Sequence, residues 1–146
     1  MNKYDCLKLD NQLCFPLYVA SKEVIRKYKA ILDELDLTYT QYIAMMVIWE
    51  ENKIKVTELA KKLYLDTGTI SPLIRKLKSK GYIEIHRDEE DERVQIIEIT
   101  NSGLELREKA ISVPKAMMDN KCINLNIEEA MELKRLLDKM NGRENE

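Results

Sequence analysis

The sequence predicts a mainly helical chain with one small antiparallel β-hairpin. Apolar residues recur at helical spacing in several separated segments, whereas the alternation typical of strands is confined to residues 82–99. The 146 residues include 4 glycines and 3 prolines, so long irregular stretches are not expected. This length fits one compact unit with a helical extension, and we therefore expect a single chain, 1–146, without a second independent domain.

The first predicted helix covers roughly residues 12–35. Its apolar face is formed by Leu13, Leu17, Ala20, Val24, Ile31 and Leu35. Pro16 lacks a backbone N–H and would clash with the preceding turn deep inside a helix, so regular helix is expected to begin near Leu13. Cys14 then lies in the first turn.

A buried helix is expected next. Thr38 and Gln41 have the spacing of a capping box, which satisfies two backbone N–H groups at a helix start. The following segment, 42–49, is apolar on all sides and is expected to form the centre of the core.

Two short helices joined by a tight turn follow. Thr57 is expected to cap the first, and Asp66 or Thr67 the second, which ends at Gly81. The inward side of the second helix is predicted to comprise Ile70, Leu73, Ile74 and Leu77. The arrangement is typical of a helix-turn-helix.

A hairpin and two further helices complete the pattern. Residues 82–87 and 93–99 alternate around the charged stretch 88–92, which predicts a β-hairpin with a charged tip. Thr100 is expected to cap the next helix, which Pro114 ends or bends. The last helix is predicted to begin with a capping box of Asn126 and Glu129 and to close at Gly142.

Together these elements form a winged helix-turn-helix lobe, expected at 38–100. The flanking helices, within 10–35 and 101–142, carry apolar stripes without an obvious partner in so small a core. We therefore expect them to form a two-fold dimer interface.

The second helix of a helix-turn-helix enters the DNA major groove with its leading end. Residues 61–82 carry six Lys or Arg and one Asp, although the whole chain has a net charge of -2. Arg87 and Arg93 flank the hairpin tip, and Asp91 is expected to orient Arg93. The predicted DNA contacts are Thr67, Gly68, Thr69, Ser71, Pro72, Arg75, Lys76, Arg87, Asp91 and Arg93.

The cysteines point to reduced thiols in the cytoplasm. Cys6, Cys14 and Cys122 are too few and too scattered for a disulfide framework, and their spacing matches no zinc motif. No segment has the length of a membrane span or the pattern of a signal peptide, and no cofactor or metal site is expected. At the start of a helix, unpaired N–H groups and the dipole favour a thiolate at Cys14, to which tyrosine hydroxyls can donate.

Five segments carry a resemblance to known proteins: residues 11–15 (NQLCF), 28–29 (YK), 37–42 (LTYTQY), 63–69 (LYLDTGT) and 88–93 (DEEDER). Through them the sequence resembles the MarR family of winged-helix regulators, and more narrowly the OhrR-type organic hydroperoxide sensors. Pro16, Ala30 and Thr40 depart from the pattern, since relatives commonly have a small or apolar residue, proline and proline there.

The resemblance implies a homodimeric repressor that binds a palindromic operator in double-stranded DNA and leaves it when an organic hydroperoxide oxidises Cys14. It implies hydrogen bonds to the thiolate from Tyr28 and Tyr39 across the dimer, and rearrangement of Tyr18. Cys122 is the candidate resolving cysteine on the opposite subunit; a low-molecular-weight thiol is the alternative.

Two other functions remain open from the sequence. One keeps the DNA-binding role but releases the repressor through reversible binding of a phenolic or lipophilic ligand. The other makes Cys14 the nucleophile of a thiol peroxidase. The second leaves the basic helix without a role, because an enzyme of that type has no need of it.

Overall fold

A computed structural model describes residues 2–119 and 121–143; Met1, Asn120 and residues 144–146 lie outside the described part. Short 3-10 turns, Asp5–Leu7 and Leu9–Asn11, precede the first helix, and another, Asp33–Leu35, follows it. The helices are α1 (Cys14–Leu32), α2 (Tyr39–Glu51), α3 (Val56–Lys62), α4 (Thr67–Ser79), α5 (Asn101–Ala110), α6 (Ser112–Asp119) and α7 (Ile127–Met140). The strands are β1 (Lys53–Lys55), β2 (Ile83–Arg87) and β3 (Gln95–Ile99). The predicted fold class, mainly helical with a small β wing, is confirmed.

Most of the predicted helix starts are confirmed by their caps. Both capping boxes are present, with Thr38 and Gln41 opening α2 and Asn126 and Glu129 opening α7. The prediction for Thr57 is wrong. α3 begins at Val56, one residue earlier, because the chain passes directly from β1 through the extended Lys55 into the helix.

Two other boundaries differ from the sequence prediction. α1 is shorter than residues 12–35, because its last turn tightens into the 3-10 turn Asp33–Leu35. The break near Pro114 falls at Ile111, between α5 and α6. Pro114 lies in the first turn of α6, where a missing N–H breaks no helical hydrogen bond.

The sheet contains a third strand that the sequence did not reveal. Its order is β1-β3-β2, with both pairs antiparallel. β1 has three residues, too short for alternation to be visible, and it is held because Ile54 is buried opposite Ile97. The hairpin register places Ile83 opposite Ile99.

The core lies around α2, between α4, α5 and the sheet. Met45, Ile48, Leu59, Leu77 and Ile97 are fully buried there. All four predicted inward residues of α4 are buried as well. The prediction that α2 is buried on all sides is wrong, because Met46 is 46% exposed.

The two terminal helices differ in how they use their apolar faces. The second half of α1 packs against α2 and α6 of its own chain, where Leu32 is fully buried, so the expectation that it lacks a partner is wrong there. α7 has no buried residue. Large exposed apolar residues gather at the chain start and on α7: Tyr4, Leu7, Leu9, Leu13, Phe15 and Tyr18, and Ile127, Met131, Leu133, Leu136 and Met140. None of the helices in the described residues is long and apolar enough to cross a membrane.

Candidate DNA-binding surface and thiol site

The leading end of α4 is open to solvent. Asp66 caps the helix, its Oδ1 accepting from the Thr69 backbone N–H at 2.8 Å. Hydrogen bonds from Thr69 hold the pKa of Asp66 below its usual value. Thr67, Gly68 and Thr69 are all exposed. A Cβ on Gly68 would meet only Asp66 Oδ1, at 3.5 Å, so the fold does not require glycine and the position leaves room for another molecule.

The rest of α4 separates into an inner and an outer side. Pro72, Arg75 and Lys76 are exposed on the outer side, and Ser71 is half-buried. Lys78 continues the exposed side into the last turn. The predicted contacts on this helix therefore share one accessible surface, which ends in three cationic side chains that can meet phosphates.

Two of the six basic residues counted from the sequence do not belong to this surface. Lys62 donates to Glu51 Oε1 at 2.8 Å, and this hydrogen bond raises the pKa of Lys62. Lys80 points inward, where its Nζ donates to the carbonyl of Asp36 and to Gln41 Oε1. Lys62 and Lys80 are therefore already paired within the chain, and neither is among the predicted DNA contacts.

The hairpin tip holds one arginine in a fixed position. Arg93 Nε and Nη2 donate to the two carboxylate oxygens of Asp91 at 3.1 and 3.2 Å, and Asp91 Oδ1 also accepts from the Arg93 backbone. This contact lowers the pKa of Asp91, and 90% of the Arg93 side chain remains exposed. Arg87 Nη1 donates to the Glu92 carbonyl at 2.6 Å and braces the tip. The wing therefore presents a guanidinium that is oriented before any contact is made.

Cys14 is an exposed free thiol and the first residue of α1. Leu13, at the N-cap position, offers no side-chain acceptor to the first N–H groups. The first N–H groups of a helix and its positive end are general features that attract anions. Two amides hold the preceding turns: Asn11 donates to the Asp5 carbonyl at 2.7 Å, and Gln12 to those of Cys6 and Lys8 at 2.8 and 2.7 Å. Sequence reasoning did not find that these two amides hold the turns before α1.

A tyrosine cluster lies at the other end of α1. The ring centroids of Tyr28 and Tyr39 are 5.0 Å apart, and Tyr42 lies 5.9 Å from Tyr28 and 6.4 Å from Trp49. Burial raises the pKa of all three tyrosines. Their hydroxyls therefore remain protonated donors at neutral pH. Tyr42 was not among the predicted residues, because its place in an apolar run indicated packing alone.

Cys122 lies beside this cluster. Its carbonyl accepts a hydrogen bond from Lys27 Nζ at 2.7 Å. Burial is the main cause of the raised pKa of Tyr28, and Tyr39 and Cys122 contribute less. Cys14 and Tyr28 are fourteen residues apart on one helix, and a rise of 1.5 Å per residue separates them by about 21 Å. The structure brings Tyr28 and Tyr39 together and places the Cys122 carbonyl on Lys27, the residue before Tyr28; it does not bring Cys14 to them within one chain. Tyr18 is also outside the cluster, exposed under the Lys22 ammonium.

The sequence matches known transcriptional regulators. The family profile for the transcriptional regulator SarA/Rot covers residues 26–110. The organic hydroperoxide resistance transcriptional regulator of Bacillus subtilis is 43% identical over 117 residues, which are 80% of each chain. The regulator SarZ of Staphylococcus haemolyticus is 49% identical over 106 residues, or 71% of this chain and 72% of SarZ.

Solved structures agree with these matches. Reduced AbfR bound to DNA superposes with a TM-score of 0.81 at 26% identity, covering 97% of this chain and 95% of AbfR. Overoxidized AbfR bound to DNA gives 0.78, again at 26% identity, over 97% and 98%. The reduced form of MarR from E. coli gives 0.72 at 25% identity, over 88% and 96%.

The matched family and relatives are transcriptional regulators rather than enzymes, and none of them supports the thiol peroxidase interpretation. Its exposed α4, with an oriented arginine on the adjacent wing, is the arrangement expected of a protein that reads DNA. The chain therefore belongs to the SarA/Rot family of MarR-type winged-helix transcriptional regulators.

Proposed function

We propose that this DNA-binding regulator is a cytoplasmic homodimeric repressor that leaves its operator when an organic hydroperoxide oxidises Cys14. The observation that carries the proposal is the exposed Cys14 thiol at the start of α1. A relative named for organic hydroperoxide resistance and DNA complexes of AbfR in reduced and overoxidized states support the same class of signal.

A dimer explains the apolar surfaces. The exposed apolar residues at the chain start and on α7 form faces that a monomer would leave in water. Pairing them about a two-fold axis presents two copies of α4, and two half-sites one DNA turn apart require these helices to be about 34 Å apart. The operator is then palindromic. We assign the contacts to the helix and wing residues named above.

In the oxidation step the peroxide is the oxidant and the Cys14 thiolate is the reductant. The Cys14 thiolate attacks the terminal peroxide oxygen, so that an S–O bond forms and the O–O bond breaks. The departing alkoxide takes a proton from water and leaves as an alcohol. Cys14 becomes a sulfenic acid: its sulfur gives up two electrons and the peroxide gains them.

The tyrosines act across the dimer in this proposal. Because about 21 Å of helix separates Cys14 from Tyr28 of the same chain, hydrogen bonds from Tyr28 and Tyr39 to Cys14 require the partner subunit. Their raised pKa values keep both phenols as donors to the thiolate. Loss of the thiolate charge weakens these bonds, and Tyr18 then rearranges. The packing of α1 on α2, which carries Tyr39, passes the change towards the DNA-binding lobe.

A second thiol makes the signal last. It attacks the sulfenic sulfur of Cys14, an S–S bond forms, and the hydroxyl leaves as water with the thiol proton. Cys122 fits this role, because it lies beside Tyr28 and so beside the proposed position of the partner subunit's Cys14. A low-molecular-weight thiol is the alternative partner for the same step.

The test uses full-length reduced protein and variants Cys14→Ser and Cys6→Ser. Cys6 is a matched control, since it is also an exposed thiol near the chain start. Binding to a palindromic duplex is measured while cumene hydroperoxide is added. Wild type and Cys6→Ser should release the duplex and rebind after dithiothreitol, whereas Cys14→Ser should bind throughout.

A nonreducing gel of the oxidised samples separates the routes. A subunit-linked band that disappears in Cys122→Ser indicates an intersubunit disulfide, and a small-thiol adduct on Cys14 indicates the other partner. If Cys14→Ser is released as readily as wild type, the sensor assignment is wrong. Release of Cys14→Ser as well, unaffected by dithiothreitol, would instead favour a reversibly bound phenolic or lipophilic ligand.

A further inference from the structure

Lys80 is the basic residue after α4 that turns away from the proposed DNA surface. Its side chain is 17% exposed, whereas Arg75, Lys76 and Lys78 are exposed. The ammonium donates to the Asp36 carbonyl and to Gln41 Oε1 at 3.1 Å, and lies 3.6 Å from the Asp36 carboxylate. Holding a lysine in this way costs rotamer entropy and hydration. The contacts of Lys80 link the end of α4 to Asp36 and Gln41.

Both partners of Lys80 lie at the corner between α1 and α2. Asp36 has a left-handed backbone, with φ 53°, in the turn between α1 and α2. Gln41 is 6% exposed, and its Oε1 also accepts from the Thr38 N–H as part of the α2 capping box. The Lys80 contact therefore joins the end of α4, the proposed recognition helix, to the corner where α1 meets α2.

The backbone at Lys80 is fixed as well. Gly81 takes a positive φ of 83°, and the N–H groups of Gly81 and Tyr82 donate to the carbonyls of Lys78 and Leu77 at 2.9 and 3.2 Å. These bonds end α4 in a set geometry. Apolar side chains hold α4 against α2, α3 and β2, and Lys80 adds a polar tie to the corner that leads into α1.

We propose that Lys80 is a positioning residue that sets the spacing of the two operator half-sites. This inference rests on the proposed dimer: α1 belongs to the dimerisation region, so the orientation of α4 relative to α1 fixes the distance and angle between the two recognition helices. The Lys80 contact holds that orientation at the end of α4. Lys80 itself contributes no phosphate contact, because its ammonium is already occupied by Asp36 and Gln41.

The experiment compares wild type, Lys80→Met and the matched control Lys78→Met. Methionine matches the unbranched apolar stem of lysine and removes its ammonium group and charge. Lys78 lies two residues away and is exposed, so its variant removes the same charge without touching Asp36 or Gln41. The probes are a palindromic duplex selected from a random library with wild-type protein, and the same duplex with one A·T pair inserted at its centre.

The insertion turns one half-site by about 34° relative to the other. We expect wild type to prefer the original spacing by about tenfold or more, and Lys80→Met by about threefold or less. Lys80→Met should keep the wild-type dependence of affinity on salt, because no phosphate contact is lost. Lys78→Met should keep the spacing preference and reduce the salt slope by about 1. A variant that was simply less stable would not lose spacing preference selectively.

Thermal unfolding checks that each variant is folded; if Lys80→Met does not fold, Lys80→Gln, whose chain is shorter and polar, takes its place. A wild-type spacing preference in the Lys80 variant overturns the inference, as does a fall of about 1 in its salt slope. If light scattering finds wild-type protein as a monomer on each half-site, the proposed dimer and this inference both fail. If wild type is dimeric and the Lys80 variant keeps the wild-type spacing preference, only the inference about Lys80 fails and the proposed dimer stands.

Discussion

Replacing Gly103 with alanine measures how closely α5 approaches the hairpin. Gly103 is a buried residue in the first turn of α5, and a Cβ there would lie 2.4 Å from the Tyr82 carbonyl oxygen and 2.7 Å from Cγ1 of Ile99. Both distances are far inside van der Waals contact, and the nearest atom belongs to the backbone, so α5 must move. Overpacking lowers the free energy of unfolding by about 1–3 kcal/mol. Replacing glycine raises it by only about 0.5 kcal/mol, because alanine has less conformational entropy in the unfolded chain. We expect a net destabilisation of about 1–2 kcal/mol.

Gly68→Ala is the matched control. Gly68 also lies in a first helical turn, but its Cβ would meet Asp66 Oδ1 at 3.5 Å, an ordinary contact. The variant should therefore be more stable than wild type by about 0.5 kcal/mol. The added methyl group lies on the proposed DNA surface, so operator binding should weaken although stability rises.

Circular dichroism at a fixed protomer concentration gives the two Tm values, since dimerisation makes Tm depend on concentration. For a chain of this size about 1 kcal/mol corresponds to about 3 °C. Gly103→Ala should lower Tm by about 3–6 °C, and Gly68→Ala should raise it by about 1–2 °C. An unchanged or higher Tm for Gly103→Ala would show that α5 does not approach Tyr82 so closely.

The tyrosine cluster and the wing give two further predictions. Burial raises the pKa of Tyr28, Tyr39 and Tyr42, so their contribution to stability is complete below about pH 10 and lost as pH rises through the folded-state values. Part of the phenolate absorbance of folded protein should therefore appear at higher pH than that of urea-unfolded protein; coincident curves would contradict this. Arg93→Ala should weaken operator binding about tenfold and reduce the salt slope by about 1, whereas unchanged affinity would remove Arg93 from the interface.

Local chemistry explains the parts of the site that could be predicted. Asp66 caps α4 and Asp91 holds Arg93 through groups three and two residues away, so the sequence alone contains both partners of each contact. The side on which the four apolar residues of α4 face the core follows from helical spacing in the same way.

Contacts between distant residues could not be predicted in this way. In the sequence, Lys80 is one of the six basic residues of the segment 61–82. Its partners Asp36 and Gln41 lie about forty residues earlier, so no local pattern shows that it turns inward. Tyr42 joins Tyr28 and Tyr39 because α1 and α2 pack together, which no local pattern reveals.

The sequence by itself determined the order of the main helices, nearly all the predicted helix caps, the hairpin and the leading end of α4. These features depend on hydrogen bonds between near neighbours and on the periodicity of apolar residues. The tertiary structure decided that β1 adds to the hairpin, that α1 packs on its own chain, that Lys80 ties α4 to the α1–α2 corner and that the Cys122 carbonyl accepts from Lys27. The physical reason is that such contacts depend on the three-dimensional packing of whole elements, which brings together groups that are far apart in the chain.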